Sequence, residues 1–384
     1  MSYIGKTPTP APLTSSDITD GIITTTKIAD ANVTNPKLTS GSQQNFRNII
    51  INGDMSIAQR GTSATGLTNG SSAYHTVDRF QFAESGSPSA AFTQTQSTDV
   101  PTGQGFAKSL KMDCTTAQSS LGAGDLIRIR TTFEGQNLQY LKKGTSSAES
   151  TTFSFWVKSS KTGTYICQLL DKDNTRSISK SYTISSANTW EKKTITYDGD
   201  TTGAFTNDNG SSLQCIWWLA AGSGSSSGTL QTSWGATTTA NTAVGQVNFA
   251  DSTSNDWYIT GVQLEAGTTA SDFEFLPYDV NLQRCQRYYQ RNFYPTLGVV
   301  GTASTSVHIG RLVVSMRASP TLSTISGTTS QIDLFGTSVV TPSTTNFSDQ
   351  STNGFRMYFG GMTGSTFGQP SHLDVDSIQA VAEL

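Results

Sequence analysis

Trp257-Tyr258-Ile259-Thr260-Gly261-Val262-Gln263-Leu264-Glu265 carries apolar side chains at every second position on either side of a glycine. The run Thr152-Phe153-Ser154-Phe155-Trp156-Val157-Lys158 alternates in the same way. Alternation with a period of two is typical of a β-strand that presents one face to a core. About nine or ten strand-like runs fall within roughly 230 residues, which predicts a two-sheet sandwich, most simply a jelly roll.

The composition of the chain favours an all-β class and limits its function. It has 384 residues, with 18 Phe, 12 Tyr and 6 Trp spread among 35 Gly. Charged residues make up 14%, and the formal net charge is -3. Such a surface has no positive field to attract a nucleic acid, so nucleic-acid binding is not expected. The longest apolar run, 215–221, is too short to cross a bilayer, so membrane insertion is not expected either.

A ten-residue unit is repeated near the N-terminus. Residues 18–27 align with residues 28–37, and Leu38-Thr39 begins a third copy. The aliphatic spacing of five fits neither one face of a strand nor one stripe of a helix. Three chains wound about one axis would bury these side chains in a narrow continuous core. The repeat therefore predicts a homotrimer, although a solvated Thr-rich linker fits the composition as well. The predicted trimerisation residues are Ile18, Ile23, Ile28, Val33 and Leu38.

Changes in composition and in hydrophobic periodicity divide the chain into four predicted parts. Residues 1–45 are the predicted docking and trimerisation segment, in which Pro8, Pro10 and Pro12 exclude a helix or a central strand over residues 1–12 and the repeat follows. Residues 46–280 form the sandwich and residues 281–294 a short linking helix. Residues 295–384 return to short strands rich in Gly, Ser and Thr, which predicts a small C-terminal β domain at the distal end.

The linking helix is predicted from a change of period. Leu282, Cys285 and Tyr289 fall on one helical stripe and should pack on the sandwich. A second stripe is basic, and its side chains are expected to face solvent: Arg284, Arg287 and Arg291. The four cysteines have no close pair, so buried free thiols are expected at Cys114, Cys167, Cys215 and Cys285.

Several motifs together resemble a module of tail-fibre proteins from tailed bacteriophages of the marine podovirus or cyanophage type. They are Asn48 to Met55, Ala58-Gln59-Arg60-Gly61, Val77-Asp78-Arg79-Phe80, Thr152 to Lys158, Trp257 to Glu265 with Phe273-Glu274, and Cys285-Gln286-Arg287-Tyr288-Tyr289. The opening Tyr3-Ile4-Gly5-Lys6-Thr7-Pro8 is similar to the virion-docking ends of such proteins. The sandwich also resembles carbohydrate-binding-module jelly rolls, although Thr260-Gly261 stands where those modules have an acidic calcium ligand.

The resemblance implies the fold and a role on the virion surface, without a sugar specificity. Together with the repeat and the lack of a recognised catalytic signature, it predicts a non-enzymatic, homotrimeric tail fibre or adhesin that is assembled in the host cytoplasm and located on the virion. Its partners would be a phage tail or capsid protein and a host-surface glycan or protein. Virion docking would use Tyr3, Ile4, Pro8 and Pro10. One alternative is a structural head or tail appendage without a receptor. Another is a tailspike that depolymerises a glycan.

Candidate site residues are few. Trp190 and Trp234 border polar loops and are candidate glycan contacts, because sugar rings stack on aromatic rings; packing at the sandwich edge is the competing interpretation. The acidic cluster 171–174, and the cluster 198–200 together with 207–210, could hold a structural calcium ion or a catalytic carboxylate pair, with hairpin turns as the alternative. No other cofactor is expected, and no histidine lies in a recognised catalytic signature.

Overall fold

The computed structural model describes residues 46–384 apart from 292–295, 303, 326–330, 335–337, 363–364, 366 and 374–377. The predicted trimerisation residues Ile18, Ile23, Ile28, Val33 and Leu38 lie outside the described residues, as do the docking residues Tyr3, Ile4, Pro8 and Pro10. Both assignments, and the predicted domain boundaries, stay predictions.

Two antiparallel six-stranded sheets form the sandwich, with strands numbered in chain order. Sheet A has the order β1 (Ser63–Leu67), β3 (Ala91–Ser97), β4 (Ser109–Thr116), β12 (Asp256–Ala266), β6 (Thr151–Ser159) and β9 (Glu191–Tyr197). Sheet B has the order β11 (Gly235–Ala236), β8 (Arg176–Ile184), β7 (Gly163–Asp171), β10 (Ser211–Ala221), β5 (Leu126–Glu134) and β2 (Gln81–Ser85). The all-β sandwich that the alternating runs predict is confirmed.

The core lies between the two sheets and is rich in aromatic rings. Trp217 of β10 is fully buried, with ring centroids 5.1 Å from Phe153 and 6.1 Å from Phe155 of β6. Strand alternation places these rings inward, because every second side chain of a strand points to the same face. The cysteines are free and buried as expected, and Cys114, Cys167 and Cys215 join this core.

The outer face of sheet B is covered by the segment 222–247, which we call the covering segment. It contains the short helix α1 (Ser223–Ser226), strand β11 and a 3₁₀ turn (Thr239–Asn241). Ala243 and Leu230 pack on Trp218, which points away from Trp217 and is 2% exposed. The Trp218 indole donates to Gln168 Oε1 at 3.2 Å. Sheet B therefore has a second small apolar layer on its outer side.

Helix α2 (Tyr278–Gln286) follows the sandwich, and its register differs from the prediction. It begins three residues earlier than expected, directly after Pro277, and ends before Tyr289, which lies in β13 (Tyr289–Arg291). The expectation that its arginines face solvent is wrong. Arg287 forms an ion pair with Glu134, Arg291 Nη1 donates to the Gln59 carbonyl at 3.0 Å, and Arg284 is half-buried. The end of β5 and the adjoining loops cover this side of the helix.

The C-terminal region contains two further sheets in its described part. The three-stranded sheet has the order β13, β22 (Ile378–Val381) and β16 (Thr321–Thr324). The seven-stranded sheet has the order β18 (Ser338–Val340), β17 (Ile332–Leu334), β21 (Pro370–Leu373), β14 (Thr296–Thr302), β15 (Thr305–Arg311), β20 (Gly354–Gly360) and β19 (Thr344–Ser348). Neither helix of the described residues has the length and apolar character that a membrane crossing requires.

Several of the motifs that carry the sequence resemblance meet where the C-terminal residues contact the sandwich. Glu383 forms ion pairs with Arg79 and, at 2.9 Å, with Arg60. The two guanidinium groups lie 3.5 Å from the Tyr288 ring centroid and 3.6 Å from that of Tyr289, respectively. Because Arg79 is 1% exposed, its ion pair with Glu383 is shielded from water. These motif residues therefore have a structural role, since they hold the C-terminal residues against the sandwich.

Candidate functional site

The outer face of sheet A carries two adjacent rows of side chains across β12, β6 and β9. In the first row Tyr258 pairs with Lys158, and Trp190 directly precedes β9 beside Lys158. In the second row Thr260 pairs with Trp156, which pairs with Lys192. These side chains point away from the core, because they alternate with the buried Phe155 and Val157.

The first row is held by internal interactions. The Lys158 ammonium lies 4.3 Å from the Tyr258 ring centroid and 5.6 Å from that of Trp190, and it forms an ion pair with Asp99. The Trp190 indole donates to Asp99 Oδ1 at 3.0 Å. Burial would raise the pKa of Asp99, but the hydrogen bonds from Lys158 and Trp190 outweigh it and lower the pKa. The polar groups of this row are therefore already satisfied by one another.

The second row opens into a pocket of about 190 Å³. Trp156 is half-buried and Lys192 is exposed, with no ion pair to any residue that the structure describes. Phe275 is 51% exposed and forms another wall of the pocket. The polar lining comes from Gln104, Ser154, Asp272 and Lys192.

An aromatic cluster fixes the position of Phe275. The ring centroids of Phe106 lie 5.1 Å from both Phe273 and Phe275, and those two rings are 4.8 Å apart. Phe106 reaches β12 at Gly261, where φ is +60° and a Cβ atom would lie 2.6 Å from the Phe106 ring. The glycine in the alternating run therefore serves two purposes: it adopts a left-handed conformation at the register shift of β12, and it makes room for the ring.

This combination of groups suits a small ligand with both an apolar and a polar side. Aromatic faces bind flat apolar surfaces, and the amide, hydroxyl, carboxylate and ammonium groups at the edge offer both donors and acceptors. The pocket is smaller than the roughly 300–1,000 Å³ of sites for drug-sized molecules, so it fits one ring rather than a long chain.

The two tryptophans predicted as glycan contacts are not brought together. Trp190 lies in the neighbouring row of sheet A and is not one of the residues that line this pocket. Trp234 precedes β11 at the edge of sheet B, where its indole donates to the Asp198 carbonyl at 2.8 Å. Glycan contact by either residue stays a prediction. The sequence-based selection missed Trp156 and Phe275; the alternation of β6 places Trp156 on the outer face and could have identified it.

The acidic clusters form ion pairs with a lysine side chain of the same protein. Asp171 and Asp200 converge on the Lys143 ammonium, with Nζ to oxygen distances of 2.5 and 3.0 Å. The carbonyls of Thr202 and Gly203 accept from the same nitrogen at 2.9 and 2.7 Å. Residues 172–175 form a hairpin turn between β7 and β8, which agrees with the turn interpretation. Within the described ranges, no group of three or more His, Cys, Asp or Glu side chains is arranged to hold a metal ion.

Comparison with known proteins gives only weak likenesses. No family model matches the chain, and no curated protein does. Among solved structures, the chain resembles the enzymatically active domain of tailspike protein 4 from bacteriophage CBA120, with 14% identity and a TM-score of 0.30. That match covers 57% of this chain and 21% of the tailspike chain, about a fifth of its length.

Two carbohydrate-binding modules are similar to this chain at the same level. The family 11 module from Clostridium thermocellum has 10% identity and a TM-score of 0.27, covering 55% of this chain and 99% of the module. The C-terminal family 22 module of Clostridium thermocellum Xyn10B has 13% identity and a TM-score of 0.26, covering 55% and 98%. Likenesses of this strength are too weak to support a function, which must be argued from the site.

Proposed function

We propose that this protein is a non-enzymatic glycan-binding fibre of a tailed-phage virion. Residues 1–45 dock it on the particle and align three chains, and the pocket on sheet A binds a sugar ring of the host surface. The observation that carries the binding role is the pocket formed by half-buried Trp156, half-exposed Phe275 and Lys192, which has no ion pair within the described part of the chain. The phage role is supported by the sequence motifs and the decameric repeat.

An exposed aromatic residue beside unpaired polar groups favours binding over packing. The first row has the same residue types, but its groups bind one another, so it needs no ligand. Phe275 remains exposed despite its packing against Phe106 and Phe273, and Lys192 has no described counter-ion. A sugar would cover apolar surface on Phe275 and Trp156 and would accept a hydrogen bond from Lys192.

A single shallow pocket of this kind binds weakly. A dissociation constant near 1 mM corresponds to only about -4 kcal/mol, which is reasonable for one ring in a small open site. Three linked copies would raise the overall affinity roughly 10²- to 10⁴-fold without any new contact. A trimer therefore makes weak individual sites effective on a cell surface that repeats the same sugar.

The binding role is tested by titrating purified full-length protein with host-surface polysaccharide and with immobilised glycans. Phe275→Ala should reduce binding at least tenfold, because it removes one aromatic wall. Phe367→Ala is the matched control, since Phe367 is 77% exposed in the C-terminal region, and it should leave binding unchanged. Equal binding by both variants would refute this location of the site.

The fibre role is tested by the mass of the protein in solution and by its position on intact particles. Deleting residues 1–45 should convert a trimer to a monomer with the sandwich still folded. A particle-bound protein that binds no glycan would instead support the structural appendage. Release of reducing ends from the polysaccharide, abolished by Asp272→Asn, would support the depolymerase and overturn the non-enzymatic proposal.

A further inference from the structure

A second pocket, of about 410 Å³, lies where α2, the segment 46–51 and the turns after β5 meet. Those turns are two short 3₁₀ helices, Gly135–Asn137 and Gln139–Leu141. The pocket shares no lining residue with the pocket on sheet A. Two arginines of the predicted basic stripe line it, Arg284 and Arg287.

The two arginines have opposite surroundings. Arg287 makes a bidentate ion pair with Glu134, through distances of 2.7 and 2.6 Å, and Tyr288 donates to the same carboxylate at 2.6 Å. Its charge is therefore neutralised. The Arg284 guanidinium makes one long hydrogen bond, from Nη2 to the Asn48 carbonyl at 3.4 Å. Its Nη1 is buried without a partner, and no carboxylate among the described residues lies within 4.0 Å.

Glu274, the carboxylate whose charge acts on Arg284, is already engaged elsewhere. Both Glu274 oxygens accept backbone hydrogen bonds, one from Phe46 and the other from Asn48 at 2.9 Å. Burial lowers the pKa of Arg284, because the charged form is partly removed from water. A half-buried guanidinium without a counter-ion destabilises the folded chain, and its planar donors match a carboxylate.

The other residues that line the pocket indicate which kind of ligand would bear a carboxylate that binds Arg284. Tyr140 is 47% exposed and Phe46 is 64% exposed, so two aromatic rings flank the arginine without being covered by the described residues. The exposed amide of Asn137 adds a donor and an acceptor. Aromatic and amide groups are unnecessary for a bare inorganic ion, but they suit a ring that bears hydroxyl groups.

We propose that this pocket binds the carboxylate of an acidic sugar, with Arg284 as the anion-binding residue. The sugar belongs to the hexuronic acid class, its carboxylate facing Arg284 and its ring lying against Tyr140 and Phe46. This proposal is independent of the sheet A pocket, which contains Lys192 but no arginine.

The test is a titration of full-length protein with D-glucuronate, followed by NMR line shifts or calorimetry. Arg284→Gln should weaken glucuronate binding at least tenfold, and D-glucose should compete poorly because it lacks the charge. Arg356→Gln is the matched control, because it removes an exposed arginine that lines neither pocket, and it should leave glucuronate binding unchanged. The absence of saturable glucuronate binding, equal affinity in Arg284→Gln, or equal affinity for glucose would overturn the proposal.

Thermal unfolding gives a second readout. Because Arg284 has no ion pair among the described residues, Arg284→Gln should leave the Tm of the free protein unchanged or raise it. Arg287→Gln is the matched control and should lower the Tm, since it leaves Glu134 without its main partner. If Arg284→Gln lowered the Tm as much as Arg287→Gln, Arg284 would be a structural residue and the proposal would fail.

Discussion

The two sheets of the sandwich both carry tryptophan on their outer faces, but only one of these faces is open. On sheet B, Trp218 is 2% exposed beneath the covering segment and hydrogen bonds to Gln168. On sheet A, Trp156 is half-buried beside a pocket that no segment of the described residues fills. Equivalent positions on two strands thus have different roles, and the difference comes from residues far away in the chain.

Two lysines, Lys143 and Lys192, differ in the same way: one is covered and paired, and the other is exposed. Lys143 lies 5.4 Å from the ring centroid of Trp234, a residue of the covering segment, and is surrounded by two carboxylates and two carbonyls. Lys192 is exposed on the open face without a described counter-ion. A charge that is buried and paired supports the fold, whereas an exposed and unpaired one is available to a ligand.

The largest expected effect concerns the two tryptophans. Trp218→Ala should lower the free energy of unfolding by about 3–5 kcal/mol, because it leaves a cavity beneath the covering segment. Trp156→Ala should cost only about 1 kcal/mol, since water already reaches the site. Urea titration of both variants measures this difference. Equal losses would mean that the face of sheet A is as closed as that of sheet B.

A similarly large difference is expected between the two lysines. Lys143→Met should destabilise the protein by about 3–5 kcal/mol, because it leaves Asp171 buried without its cation. Lys192→Met should change stability by no more than about 0.5 kcal/mol. The pair is measured by denaturant unfolding at fixed pH and salt. A tolerated Lys143→Met would show that the carboxylates are hydrated or paired in another way.

The smallest expected effect concerns the first row of sheet A, whose polar groups bind one another, in contrast to the second row, which opens into the pocket. The lowered pKa of Asp99 means that its ionised form stabilises the fold. This contribution is present above the ordinary carboxylate pKa of 3.8 and is lost as the pH falls through the lower folded-state value. Because Asp99 is 45% exposed, Asp99→Asn should cost well under about 1 kcal/mol near neutral pH.

The unfolding free energies of wild type and Asp99→Asn, measured at a series of acidic pH values, show whether ionised Asp99 stabilises the fold. The difference should shrink toward zero as the pH drops below the carboxylate range. A difference that grows on acidification would mean that Asp99 is not held by Lys158 and Trp190 in solution.

Sequence patterns predicted much of the fold but little of the candidate site. The alternating runs correctly predicted strands and an intersheet core, and adjacency alone required Trp217 and Trp218 to point to opposite faces. The same alternation places Trp156 outward. It could not show that Trp218 is covered and Trp156 is not, because the covering segment has no period that relates it to β10.

The helix illustrates the same limit. The sequence predicts a solvent-facing basic stripe on one helix, but only Arg284 lies within α2, Arg287 follows its last residue and Arg291 lies in β13. Arg287 forms an ion pair with Glu134 at the end of β5, whereas Arg284, three residues earlier, donates only to the Asn48 carbonyl. The resemblance motifs marked Arg60 and Arg79 without indicating that both bind Glu383, more than 300 residues away.

The amino-acid sequence by itself determined which residues form strands and which side chains share a face, because side-chain direction along a strand depends only on local backbone geometry. The tertiary structure alone decided which outer face stays open and which charges have partners. Those outcomes depend on contacts between residues distant in the chain, and a half-buried charge is neutralised or left unpaired according to what the fold places beside it.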